Sequence, residues 1–173
     1  VTGEVALESV SGRVEVSEGP SSLEAASVSG DVRVASTTGR SELESVSGDV
    51  AVRRATGRLE VGSVSGNIEI EGGILDGLKA ETVSGSIFCG AAPSDRSRFD
   101  IESMSGTVEL VVPEGVNADF DIETFNGDID NCFGPKAERT SKYAPGWELS
   151  FTEGDGDGRV TISTLNGDID LCK

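Results

Sequence analysis

The chain has 173 residues, with 31 acidic side chains, 14 basic side chains and no histidine, so its formal net charge is −17. This charge disfavours a nucleic-acid partner and docking to an anionic membrane surface. No apolar run is long enough to span a bilayer, and no charged-then-apolar leader begins at Val1. We therefore expect either a cytosolic protein or one whose leader was removed upstream of this numbering. The length fits a single domain over residues 1–173.

A tetrapeptide of the form Ser/Thr-x-Ser/Asn-Gly recurs eight times along the chain. Its glycines, which we expect to have a structural role, are Gly12, Gly30, Gly48, Gly66, Gly85, Gly106, Gly127 and Gly167. Subtraction of these residue numbers gives spacings of 18, 18, 18, 19, 21, 21 and 40 residues. A short repeat of nearly constant length predicts an array of one reused structural unit.

The first predicted strand of each unit carries an apolar residue five positions before the glycine and, except at Ser41, another seven positions before it. The positions five residues before it are Leu7, Ala25, Leu43, Val61, Ala80, Ile101, Ile122 and Ile162. A further apolar column lies two residues before the glycine, at Val10, Val28, Val46, Val64, Val83, Met104, Phe125 and Leu165. The gap of three residues between these columns breaks the alternation of a strand. We therefore predict a corner in the gap, with both columns facing the interior.

The second predicted strand of each unit follows the glycine. Residues two positions after it are all Val or Ile, and those four positions after it are Val16, Val34, Val52, Ile70, Cys89, Leu110, Asn131 and Leu171. Period-2 alternation of β-branched residues with polar ones is typical of a strand with one buried face. Units of this size bury their apolar face only by stacking, at about 4.8 Å per layer. The fold class is therefore all-β, a single-stranded parallel β-solenoid (β-helix) of about eight coils, expected to be right-handed.

The long final spacing contains an insertion at residues 132–159. It holds four of the eight aromatic residues of the chain, namely Phe133, Tyr143, Trp147 and Phe151. The last coil of a solenoid presents an unpaired strand edge, which favours end-to-end self-association unless it is covered. We expect the insertion to cover that edge as a cap. The alternative is a binding loop, since long aromatic loops on rigid scaffolds often carry recognition.

The repeated Ser-Val-Ser-Gly-Asp-Val, which becomes Thr-Phe-Asn-Gly-Asp-Ile and Thr-Leu-Asn-Gly-Asp-Ile, resembles the bacterial adhesin-like family of domains of unknown function. The resemblance covers residues 1–131 and 159–171. It implies a β-solenoid in an extracytoplasmic protein, periplasmic, cell-surface or secreted, with an unknown protein, peptide or glycan partner at the cell envelope. It implies no catalytic residue, because the family has no established activity.

Two cysteines are predicted to be neighbours. Cys132 and Cys172 each lie five residues after a repeat glycine, so consecutive coils would stack them within disulfide distance. The alternative is two unrelated small residues at a corner. Cys89 lies in an inward column, where a buried apolar filler is favoured over a reactive thiol.

Acidic residues supply the candidate cation ligands. The Gly-rich string with Asp155 and Asp157 suits calcium, together with the outward pairs Asp128 and Asp130, and Asp168 and Asp170. The string lacks the full spacing of known calcium loops, so a flexible acidic loop is favoured. Two outward acidic columns, which begin at Glu8 and at Glu24, are best interpreted as solvated surface. No other cofactor is predicted.

A ladder of Ser or Thr lies three residues before every repeat glycine, at Ser9, Ser27, Ser45, Ser63, Thr82, Ser103, Thr124 and Thr164. Hydrogen bonding to a turn backbone is favoured over a water-ordering outer face. Without histidine, only paired carboxylates remain for acid–base catalysis. We therefore predict a non-enzymatic structural or interaction module. The alternative is a carbohydrate-active β-helix that uses paired carboxylates and possible calcium.

Overall fold

The computed structural model describes residues 3–143 and 145–172, and within these residues it contains strands but no helix. The strands are β1 (Glu4–Ser11), β2 (Val14–Val16), β3 (Ser22–Ser29), β4 (Val32–Val34), β5 (Thr37–Ser47), β6 (Val50–Val52), β7 (Ala55–Ser65), β8 (Ile68–Ser84), β9 (Ile87–Ser105), β10 (Val108–Val111), β11 (Ala118–Asn126), β12 (Ile129–Asn131), β13 (Glu138–Arg139), β14 (Trp147–Glu153), β15 (Gly158–Asn166) and β16 (Ile169–Cys172).

The strands stack as a parallel β-solenoid, which confirms the predicted fold class. Along one face the parallel order is β1-β3-β5-β7-β8-β9-β15-β11, and antiparallel β14 and β13 follow. Along a second face β2, β4, β6, the first residues of β8 and β9, β10, β16 and β12 stack in parallel. The predicted count of eight coils is corrected to about six turns. Along the first face eight parallel strand levels, here called rungs, are stacked, and the last two lie out of chain order.

The interior is filled mainly by the predicted columns five residues before and two residues after each glycine. Val32, Val50 and Ile169 after the glycines are fully buried, as are Leu43 and Ile101 before them. Each rung places these side chains directly above those of its neighbour, so the apolar columns form one continuous core.

The apolar column two residues before each glycine faces outward, so its predicted burial is wrong. Val10 is 76% exposed, and Leu165, the least exposed of the eight, is 44% exposed. Alternation runs unbroken through Val5, Leu7 and Ser9, which places the Ser/Thr ladder inside and the next residue outside. The corner lies at the glycine instead. A pattern that equates apolar with inward misplaces a polar column that is buried at a corner.

The buried hydroxyls have a structural role at this corner. Ser45 Oγ donates to the Gly30 carbonyl at 3.4 Å, and Thr124 Oγ1 donates to the Gly167 carbonyl at 3.0 Å. Thr82 Oγ1 donates in the same way to the Gly66 carbonyl at 3.5 Å, and these bonds link neighbouring rungs where the chain turns. Among the described residues, four other buried ladder hydroxyls have no hydrogen-bond partner, namely those of Ser27, Ser63, Ser103 and Thr164. The three bonds agree with the favoured turn interpretation, and the inward position of the ladder excludes an outward water-ordering array.

The repeat glycines stack backbone on backbone. A Cβ at Gly48 would lie 2.4 Å from the carbonyl oxygen of Gly30, which no side chain tolerates. The residue after the glycine adds a second link, since Asp49 Oδ1 accepts the backbone N–H of Asn67 at 2.8 Å. The Gly-Asp step is therefore the corner that allows one rung to sit on the next.

The last rung in sequence is not the last rung in space. Strand β15 pairs with both β9 and β11, and β16 pairs with both β10 and β12. The chain therefore skips one layer after β10, builds the terminal rung from β11 and β12, and returns to fill the gap. This corrects the expectation that consecutive repeats stack consecutively.

The insertion covers the free edge of β11, as expected of a cap. Strand β14 pairs antiparallel with β11 and opposes Phe151 to Phe120 and Leu149 to Ile122. The rings of Phe120 and Phe151 are stacked with centroids 4.7 Å apart, and Phe133 lies 5.6 Å from Phe120. Two details differ from expectation: the capped rung is the seventh in sequence, and Tyr143 is 90% exposed.

We predict that Gly48→Ala destabilises the protein, because its Cβ would collide with a neighbouring carbonyl. The expected loss is about 3 kcal/mol, or a Tm lower by roughly 6–12 °C in a calorimetric scan. Gly62→Ala is the matched control, since nothing lies within 4 Å of a Cβ at that strand position. Its Tm should change by no more than about 2 °C. Equal Tm values for the two variants would contradict the stacked corner.

Candidate functional site

A groove of about 1150 Å³ runs along the outside of the solenoid. One side, here called the apolar wall, is the exposed column Val10, Val28, Val46, Val64, Val83, Met104, Leu165 and Phe125, in spatial order. The other side, the acidic wall, consists of Glu8, Ala26, Glu44, Gly62, Glu81, Glu102, Ser163 and Glu123. The Ser/Thr ladder lies between the walls. The seven spacings of about 4.8 Å between the eight rungs give a length of roughly 34 Å.

Small residues separate most of the glutamates along the acidic wall. Ala26 separates Glu8 from Glu44, and Gly62 separates Glu44 from Glu81 along the stacked rungs. These glutamates therefore lie about 9.6 Å apart, two rungs each. Small residues between like charges reduce their repulsion while the whole wall remains negative.

Larger residues and the cap shape the C-terminal end of the groove. Met104, Leu165 and Phe125 replace the valines of the first rungs on the apolar wall. Thr140 and Gly146 of the insertion also line this end. Nearby, the Arg139 guanidinium lies 4.9 Å from the centroid of the half-buried Trp147 ring. The insertion thus acts as a cap and also contributes residues to the groove.

The sequence interpretation missed the groove because it placed the apolar wall in the core. A usable indicator was present: Ser or Thr occupies every position directly before that wall, with no apolar exception. A strictly polar column beside a strictly apolar one is compatible with either direction of burial. The position of the corner decides between them, and it depends on contact of the repeat glycine with the neighbouring rung.

One cation interrupts the acidic surface beside the groove. Lys79 Nζ lies 2.8 Å from Glu81 Oε1, and the hydrogen bond to Glu81 raises the Lys79 pKa. Glu81 and Glu102 occupy adjacent rungs, so they are the nearest glutamate pair along the wall. Both stand on the same wall, and the facing wall is apolar. The lining residues therefore do not form a pair of carboxylates that flanks a substrate from two sides.

Cys132 and Cys172 form a disulfide with their Cα atoms 5.0 Å apart. The bond joins the corner after β12 to the end of β16, on two adjacent rungs. It fastens the start of the insertion to the returning rung. Cys89 is buried in the core, and burial raises its pKa to about 11, so the free thiol stays protonated at neutral pH.

The six predicted calcium ligands do not converge. Four of them form two stacked pairs. Asp130 in β12 lies beside Asp170 in β16. At the corners before these strands, Asp168 Oδ1 accepts the Asp128 N–H at 2.9 Å. The other two, Asp155 and Asp157, lie on the loop between β14 and β15. There the backbone N–H of Asp155 donates to Asn117 Oδ1 at 3.3 Å. Over residues 3–143 and 145–172, no group of three or more acidic or cysteine side chains is arranged to hold a metal ion. Calcium binding stays a prediction.

Burial, followed by the charges of Asp130 and Asp168, raises the pKa of Asp170. Its ionised form therefore costs folding free energy at pH values above its ordinary pKa of 3.8. The cost disappears as the pH falls and the carboxyl group becomes protonated in both the folded and unfolded states.

We predict one free thiol per chain in denatured protein that matured under oxidising conditions, and three after reduction. The thiol-specific reagent used for this count should not label Cys89 in the native state, because the thiol is buried and protonated. Three thiols in unreduced, oxidised material would show that Cys132 and Cys172 are not bonded.

We predict that Asp170→Asn stabilises the protein at neutral pH by less than about 1 kcal/mol, because it removes a carboxylate beside two others. The Tm should rise by about 1–3 °C at pH 7, and the gain should vanish near pH 3. Asp100→Asn, on the outer strand face beside Lys79, should give no gain. The calcium prediction gains support only if calcium raises the wild-type Tm and Asp170→Asn removes that rise.

No helix within the described residues is long and apolar enough to cross a membrane. No curated protein and no solved structure matches the chain significantly. The model of the Toastrack DUF4097 family matches residues 54–172, which is more than half of the chain. The matched region contains five of the eight repeat glycines, the out-of-order rung and the cap. The chain therefore belongs to the Toastrack DUF4097 family, a family of unknown function with a β-solenoid-like fold.

Proposed function

We propose that this protein is a non-enzymatic, adhesin-like interaction module of the bacterial cell envelope, or secreted, and that its groove is the binding surface. The observation that carries the proposal is the apolar wall, where eight large apolar side chains stand exposed in one line. Single exposed apolar residues are ordinary on soluble proteins, whereas a contiguous exposed line is typical of interaction sites.

The surrounding architecture suits a binding scaffold. The groove residues sit on strands whose backbones pair with rungs on one or both sides, and close contacts between glycine backbones fix the corner beside them. A preorganised surface of this kind loses little conformational entropy when a partner binds. A structural or interaction role also fits a β-solenoid of the Toastrack DUF4097 family.

The disulfide supports the extracytoplasmic part of the proposal. Bonds of this type persist in oxidising compartments and are rare in the reducing cytosol. The one remaining cysteine is buried, so it does not compete for exchange.

The carbohydrate-active alternative is favoured only by the existence of a groove that contains the adjacent Glu81 and Glu102. Both carboxylates belong to one wall, and Glu81 is already paired with Lys79. Hydrolysis by two carboxylates requires them to act on the scissile bond from positions roughly 5–9 Å apart. An apolar facing wall offers no counterpart, so binding remains the favoured role.

We predict that Met104→Gln reduces retention of envelope components on the immobilised protein, because it places an amide in the apolar wall. Bound material from wild-type and variant columns would be compared by quantitative mass spectrometry, with an expected loss of at least about fivefold, the effect of burying one unpaired polar group. Ile74→Gln is the matched control, since Ile74 is a similarly exposed apolar residue outside the groove.

The same experiment separates the two candidate functions. Loss with Met104→Gln but not with Ile74→Gln supports a groove-based module. Retention of the same material by all three proteins contradicts it. Depolymerisation of an envelope polysaccharide that Glu81→Gln or Glu102→Gln abolishes would favour the enzymatic alternative.

A further inference from the structure

We infer that the groove binds a basic, amphipathic α-helix of another protein, laid along the solenoid axis with its apolar stripe on the apolar wall and its cations beside the acidic wall. This inference rests on the proposed function and specifies the chemistry of the partner. Four features support it: the apolar wall, the spacing of the glutamates, the paired state of the rungs and the length of the groove.

The two walls require a partner with two kinds of surface. The apolar wall is contiguous over all eight rungs, and a partner gains free energy only by covering it with apolar side chains. The acidic wall carries Glu8, Glu44, Glu81, Glu102 and Glu123, of which Glu81 has a cation at 2.8 Å within the chain. Lys or Arg side chains on one flank of the partner would complement this wall.

The groove offers few hydrogen-bond partners to the backbone of an extended peptide. The groove crosses the strands, and their backbone groups are used in the ladders between rungs. The serine and threonine hydroxyls between the walls point into the interior. The acidic wall accepts hydrogen bonds but offers no donors to backbone carbonyls. A helix satisfies its own backbone, so it binds through side chains alone.

The dimensions match a helix of ordinary length. A groove of roughly 34 Å accommodates about 22 helical residues at 1.5 Å per residue. Glu8, Glu44 and Glu81 are spaced by about 9.6 Å, and helical residues seven apart are spaced by about 10.5 Å. A partner with a cation at every seventh position and an apolar stripe at spacings of three and four therefore stays in register over the first five rungs.

The test uses the full chain and a fluorescent 22-residue peptide with leucine at the heptad a and d positions, lysine at e, and alanine or glutamine elsewhere. Two matched peptides replace each lysine with glutamate or two central alanines with proline. Binding is measured by fluorescence anisotropy at low and high salt. We expect the lysine peptide alone to bind, with affinity that falls as salt rises.

Two protein variants with equal net charge locate the site. The triple variant Glu8→Gln, Glu44→Gln and Glu102→Gln removes three of the five glutamate charges of the acidic wall and should weaken binding about tenfold. The control variant Glu24→Gln, Glu42→Gln and Asp100→Asn neutralises the neighbouring outward column on rungs two, three and six, and should bind like wild type. Met104→Lys, which places a cation in the apolar wall, should also weaken binding by at least tenfold.

Each other result overturns the inference. Equal binding of the proline peptide would indicate an extended partner, and equal weakening by both triple variants would indicate non-specific charge attraction. Wild-type self-association that the peptide does not displace would indicate that a second copy occupies the groove. Failure of the lysine peptide to bind, while Met104→Gln still loses envelope material, would overturn the helical partner and leave the proposed function standing.

Discussion

The structure depends on the close contact between glycine backbones at one corner of every rung. A Cβ at Gly106 would lie 2.0 Å from the carbonyl oxygen of Gly85, and the same holds for Gly167 above Gly106. Only glycine allows the layers to approach to strand spacing at this corner. The columns of the core, the hydroxyl ladder and the two walls of the groove all follow from that spacing, because it places each residue directly above its counterpart.

The equivalence of the rungs has a topological consequence. Each rung presents equivalent columns above and below, and β15 pairs in register with β9 on one side and β11 on the other. The connecting chain is what permits this arrangement. The residues between Asn131 and Gly158 are numerous enough to cover the end of the solenoid with β14 and return. The disulfide between Cys132 and Cys172 then ties the terminal rung to the inserted one.

The groove also follows from the geometry of the glycine corner. The strand alternation that places Ser or Thr inside also places the following apolar residue outside. In a single repeat that exposure would be unremarkable. Repeated eight times at strand spacing, it produces a continuous apolar wall, and the outward residue on the other side of the ladder produces an acidic one.

The sequence alone determined the solenoid, its repeat period and most of the core. Period-2 columns that repeat at nearly constant spacing, such as Leu43 with Val50, have one geometrical solution, and stacking buries them. The proximity of Cys132 and Cys172 and the capping role of the insertion also followed from repeat position. These features depend on local alternation and on repeat period, both of which are written in the order of the residues.

The tertiary structure decided which rung neighbours which, and which side of the glycine corner is inside. Columns that recur in every rung do not specify an order, so the place of β15 between β9 and β11 is seen only in the strand pairing. Which of Ser45 and Val46 points inward depends on where the chain turns, and the turn lies where Gly48 contacts Gly30 of another rung, a contact that no pattern within one repeat contains. The groove depends on both decisions, because its walls form only when outward side chains from all eight rungs are stacked in space.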